Sequence, residues 1–201
     1  KLQLMLKHNS YLINKNNLNY KKTINEGYSI YKNKTSLKNI SKSYGTGEYV
    51  TWTEKEYAHL GMQRYYLIVK SFQRFSETWS LLERAKSFGI LDNVPKIINF
   101  VSVGGGPGFE CYTFELFIKE HYPNKKCKLF NLDLEPKWGE YTNKLGNNYK
   151  FFRWNLYKDN LYKTIGLKKV HFIMISNVLV MYMTNNFSYN FVCIIKISFF
   201  C

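Results

Sequence analysis

The spacing of apolar positions changes twice along the chain. Residues 1–43 mix Asn, Lys, Ser and Tyr with scattered Leu and Ile and sustain neither a 3.6-residue nor a two-residue period, which predicts a mobile arm. After them, Ala58, Met62, Tyr65, Val69, Phe72, Trp79 and Leu82 recur at helical intervals. Thr53 and Glu56 stand ahead of this run at the spacing of a capping box, where a side-chain hydroxyl and a carboxylate satisfy each other's backbone N–H groups. The pattern predicts one long helix or a broken pair, stopped at Gly89 and followed by a linker that Pro95 closes.

From residue 97 short apolar runs alternate with helical stretches. The predicted order is strand 97–103, helix 109–122, strand 127–134, helix 137–145, strand 149–154, helix 157–165 and strand 170–178. Pro123 and Pro136 fall in the connections, where a missing N–H costs nothing. Such alternation predicts an α/β domain with a mostly parallel sheet flanked by helices. The chain thus divides into an arm (1–43), a helical extension or lid (44–96) and the α/β domain (97–201). Only four strands fit before Tyr182, and the apolar run from Phe191 to Ile197 leaves room for one more, so the sheet is expected to be incomplete at its C-terminal side. The first residue is Lys1 rather than Met, which raises the expectation of a fragment.

The chemistry concentrates after the first of these strands. Val101-Ser102-Val103 runs into Gly104-Gly105-Gly106-Pro107-Gly108 and then the helix from Phe109-Glu110. Glycines permit positive φ and close approach of a ligand to the backbone, and the next helix presents its N-terminus. A dinucleotide fingerprint needs a glycine at 109, where the chain has Phe109, and a P-loop needs Gly-Lys-Ser/Thr, which is absent. Gly-x-Gly-x-Gly with proline in the fourth place resembles motif I of the class I, Rossmann-like S-adenosylmethionine-dependent methyltransferases. Turns of this kind also occur in rRNA uridine methyltransferases.

The resemblance implies a Rossmann-like fold, S-adenosyl-L-methionine as cofactor, and a binding role for Gly104, Gly105, Gly106 and Gly108. Asp133, at the end of the following strand, is placed to accept hydrogen bonds from both ribose hydroxyls, with Glu135 as the alternative. Trp154 and Asn155 match the place where the family sets a hydrophobe against the adenine ring and a polar group against its amine; Asn155 stands where Asp is commoner. The run 170–177 resembles the motif IV strand, with His171 in place of its opening Asp and with Ser176 and Asn177 at the methyl-transfer end. Ser102 occupies a motif I position that is often acidic, and no Asn/Asp-Pro-Pro-Tyr/Phe signature is present. No catalytic residue is identified.

Charge and cysteine content add a partner and a compartment. The net charge is +15, of which residues 1–43 supply more than half, with nine Lys against Glu26. A basic balance favours polyanions through counterion release, which puts RNA or DNA first among partners, and the likeness to rRNA uridine methyltransferases implies RNA; a Lys/Asn bias of the whole sequence explains the charge equally well. Cys111, Cys127, Cys193 and Cys201 form no metal-ligand pattern with the four His residues, so free thiols and no metal are expected. No signal peptide or membrane-spanning run is visible, which points to an intracellular protein, cytoplasmic or nuclear. Three functions remain, the first two from different classes: an S-adenosylmethionine-dependent enzyme, with RNA methylation foremost, and a non-catalytic methyltransferase-like domain that binds nucleic acid or a partner protein. An NAD-dependent oxidoreductase is the third.

Overall fold

Residues 20–33, 52–156 and 158–176 are described by the structure, a computed structural model. The chain divides into two units, residues 1–77 and 78–201.

In the first unit, α1 (Tyr20–Asn33), α2 (Glu54–Tyr57) and the opening turns of α3 (Leu60–Ser87) surround an aromatic cluster. The capping box forms as predicted: Glu56 N–H donates to Thr53 Oγ1 over 3.2 Å and Thr53 N–H to Glu56 Oε2 over 2.7 Å. The apolar positions from Met62 to Leu82 lie in one long helix, α3, preceded by the separate single turn α2, which closes at Ala58. Trp52, 8 % exposed, has its ring 4.8 Å from that of Tyr31 and 5.6 Å from that of Tyr57, and its indole N–H donates to Ile30 O.

Helix α1 corrects the expectation of an arm without regular structure, since it occupies 20–33. Asn and Gly lower the local propensity, so the helix is not legible from its own sequence. What holds it is tertiary: Gly27 is buried against Gly61 so closely that a methyl group there would strike the Gly61 carbonyl, and Tyr28 and Tyr31 pack edge-on against Tyr65.

The second unit begins within α3, which ends in a Schellman motif. Gly89 turns with φ 72°, its N–H reaches Lys86 O and that of Ile90 reaches Ala85 O, both at 3.0 Å. Then follow β1 (Ile97–Val103), α4 (Phe109–His121), β2 (Lys126–Asp133), a 3-10 turn (Pro136–Trp138), α5 (Gly139–Thr142), β3 (Tyr149–Arg153), α6 (Leu161–Ile165) and β4 (Phe172–Ile175). The strands form one all-parallel sheet in the order β3-β2-β1-β4, so the fold is α/β and Rossmann-like.

Strand side chains alternate between the two faces. On one face Phe100 stacks on Phe114 of α4 at 4.1 Å. On the other, Val101, Val103, Phe130 and Leu132 cluster with Leu161 and Ile165 of α6. Two predicted helices are shorter than their patterns. Glu135 caps the 3-10 turn by accepting from Lys137 N–H, and Asn160 caps α6 by accepting from Lys163 N–H, so each helix starts at its cap.

The amino ends of β1 and β4 are fastened by His171. Asn99 N–H donates to its Nδ1 over 2.8 Å, its own N–H donates to Asn99 O, and Asn99 Nδ2 donates to Lys169 O. The imidazole must be neutral to accept, and burial, then the Lys169 ammonium, hold its pKa below the usual 6.5. A histidine whose pKa is lowered by folding takes its proton more readily when unfolded, so its contribution is present above about pH 6.5 and is lost as the pH falls. Urea titrations of wild type and His171→Gln should therefore show the wild type losing its stability advantage as the pH falls below about 6.5.

Candidate functional site

All four strands end at the same edge, and the chain passes from β1 outward to β2 and β3 before returning to β4 beside β1. At such a reversal, outside the carboxyl ends of β1 and β4, doubly wound sheets bind ligands in a crevice. The glycine turn lies there, with Asp133 ending β2, Trp154 and Asn155 following β3 and Ser176 following β4.

The turn needs its glycines for different reasons. Gly104, Gly106 and Gly108 have φ of 66°, 49° and 94°, the last as N-cap of α4. Gly105 is needed for space: a methyl group there would collide with Asn131 Oδ1 and lie 2.5 Å from Ser102 Oγ.

The N–H groups of the turn are spent internally. Gly104 and Gly105 donate to Leu132 O at 2.8 and 3.2 Å, Gly108 donates to Gly105 O at 2.9 Å, and Pro107 has no N–H. Gly106 N–H donates to Asp133 Oδ2 at 2.9 Å, while Glu135 N–H donates to Asp133 Oδ1 at 3.0 Å. A phosphate-binding loop works by presenting such N–H groups outward. Here a carboxylate already sits on the turn. Burial raises the Asp133 pKa to about 6, partly offset by the N–H groups of Glu135 and Gly106, so the site carries a negative charge at neutral pH.

The two carboxylates proposed for the ribose thus divide. Asp133 is joined to the glycine turn, whereas Glu135 turns away to cap Pro136–Trp138. Asn155 follows β3 in a tight turn in which its N–H donates to Asp159 Oδ2 at 2.7 Å. Trp154 has its ring within the core cluster at 4 % exposure, and its indole N–H is buried without a partner among the described residues. Ser176 is the last described residue, and Asn177 lies outside the described residues. His171 is at the opposite end of β4 from the crevice, in the clamp with Asn99.

Asn131 is the residue that sequence reasoning missed. It is fully buried on β2, and its Nδ2 donates to Gly106 O at 2.8 Å and to Thr142 Oγ1 at 2.7 Å, tying the turn to α5. An amide between Phe130 and Leu132 in a buried strand was the available signal.

Burial raises the Cys111 thiol well above its ordinary range and the Cys127 thiol to about 12, so neither is a thiolate nucleophile at neutral pH. Among the described residues no group of His, Cys, Asp and Glu could hold a metal ion, and no helix is long and apolar enough to cross a membrane. No family model matches the sequence, and no curated protein matches it significantly.

Proposed function

We propose that the carboxyl edge of the sheet binds S-adenosyl-L-methionine and that the protein is a methyltransferase acting on RNA. The observation that carries this reading is the wiring of the glycine turn: its N–H groups are occupied and a half-buried carboxylate is seated on it. That arrangement repels the pyrophosphate of a dinucleotide and suits a ligand with ribose hydroxyls, no phosphate and a positive charge. It therefore favours S-adenosylmethionine over NAD.

Bound there, the cofactor would supply a methyl group already activated on a sulfonium. The chain's own part is binding and alignment. Asp133 would accept the ribose hydroxyls, with Gly106 N–H and Glu135 N–H holding its two oxygens in place. Gly104, Gly106 and Gly108 let the backbone approach the ligand without Cβ atoms, and Asn131 fixes the Gly106 carbonyl. The Asn155 amide would accept from the adenine amine, and Ser176 would face the acceptor. RNA is the acceptor class suggested by the +15 net charge and by the likeness of the turn to rRNA uridine methyltransferases.

Incubating the purified chain with methyl-labelled S-adenosylmethionine and undermethylated RNA tests the whole reading. Label is expected in RNA and not in protein. Cofactor binding with no transfer to any RNA would instead favour the non-catalytic binding domain.

A further inference from the structure

The register divides one face of the sheet in two. Ile97, Asn99, Val101 and Val103 of β1 share this face with their partners Lys126, Lys128, Phe130 and Leu132 of β2, and with Lys150 and Phe152 of β3. Towards the carboxyl ends these positions are apolar and packed against α6. Towards the amino ends they are Lys126 and Lys128, both exposed, with Ile97, 47 % exposed, beside Lys126 on β1; on the outer strand β3 the exposed Lys150 lies level with Phe130. Five residues of α6 extend roughly 7 Å, whereas the seven of β1 extend roughly 23 Å, so the helix covers only part of the face. The remainder is a flat shelf carrying three lysines, none of which has an ion-pair partner among the described residues.

A general excess of lysine would load both ends of the sheet alike, and it does not. The seven residues before each of the four strands contain six Lys against Asp92 and Glu120. The seven after each of β1, β2 and β3 contain Lys137 and Lys158 against Glu110, Glu135, Glu140 and Asp159. The basic surface therefore lies at the end of the sheet away from the glycine turn, extended by the exposed Lys96, Lys168 and Lys169.

We infer that this shelf binds the phosphate backbone of RNA. Lys126 and Lys128 stand about 6.6 Å apart along β2, and Lys150, level with Phe130, stands about 6.6 Å further along on a strand about 4.8 Å to the side, so the three lysines form a diagonal row at the scale of successive phosphates. Compact lysine point charges, unlike the planar fork of Arg, contact phosphates without reading base edges and give sequence-independent attachment. RNA held there lies about one strand length from the crevice, so the shelf anchors a substrate whose acceptor nucleotide reaches the other edge. The inference rests on RNA being the partner and not on the identity of the cofactor.

The test is fluorescence anisotropy of the full chain with a labelled single-stranded RNA of mixed sequence, for wild type, Lys126→Ala/Lys128→Ala/Lys150→Ala, and a Lys55→Ala/Lys137→Ala/Lys158→Ala control. The shelf variant is expected to bind about tenfold or more weakly at about 0.15 M salt. Its plot of log affinity against log salt should be shallower by about 2, near 0.7 for each lysine removed, while the control moves much less. Equal losses in both variants, unchanged binding by a shelf variant with wild-type circular dichroism, or competition by polyglutamate as effective as by unlabelled RNA would each overturn the proposal. Wild type that binds no RNA would overturn it together with the RNA reading. Binding of S-adenosylmethionine, titrated separately, reports on the cofactor reading alone.

Discussion

Gly105→Ala is expected to lower the stability of the α/β unit by about 3 kcal/mol, the upper part of the range for an overpacked interior. The added methyl would meet Asn131 Oδ1 and the Ser102 side chain. Neither can move aside cheaply. Asn131 is fully buried and held by Gly106 and Thr142, and Ser102 lies on the central strand at 0 % exposure. For a chain of this size the loss corresponds to a fall in Tm of roughly 6–12 °C, read from a thermal melt. Gly166→Ala separates crowding from backbone strain: Gly166 has φ 66° but nothing within 4 Å of the added Cβ, so only the left-handed penalty of about 1 kcal/mol is expected there. Because the turn must shift to admit the methyl, Gly105→Ala should also weaken the ligand.

Asp133→Ala is expected to cost on the order of a hundredfold in S-adenosylmethionine affinity, the effect of losing two hydrogen bonds to a charged acceptor. The same change removes the acceptor of Gly106 N–H and Glu135 N–H, so the turn loosens as well. The pH dependence follows from the protonation of Asp133. Its pKa is raised by burial to about 6, and only the ionised group accepts both ribose hydroxyls. Affinity should be constant above about pH 7 and fall as the pH drops through about 6. Asp133→Asn should lack this dependence while retaining the fold.

The strands were legible because buried parallel strands read as short apolar runs, and β1 has the bounds its sequence predicts, Ile97–Val103. The glycine turn and Asp133 were legible because their chemistry is written in consecutive residues. Features that depend on distant partners were not. Helix α1 exists through Gly27 meeting Gly61. The role of Asn131 depends on a turn and a helix on either side of it in sequence. The predicted helix at 137–145 is divided into a 3-10 turn capped by Glu135, the single turn α5, and i→i+3 bonds from Lys144 to Tyr141 and from Leu145 to Thr142 in place of a further helical turn. The polarity of the sheet face emerges only once register sets Lys126 opposite Ile97 and Phe130 opposite Val101. Composition likewise led to the arm as the basic element, whereas the described surface places a second basic region on the sheet itself.

Isothermal titration of S-adenosylmethionine into the wild-type chain at about pH 7.5 tests the central claim most directly. One site per chain is predicted, weakened on the order of a hundredfold by Asp133→Ala and not displaced by NAD. A folded protein that gives no heat with S-adenosylmethionine, or one in which NAD competes for the same site, would contradict it.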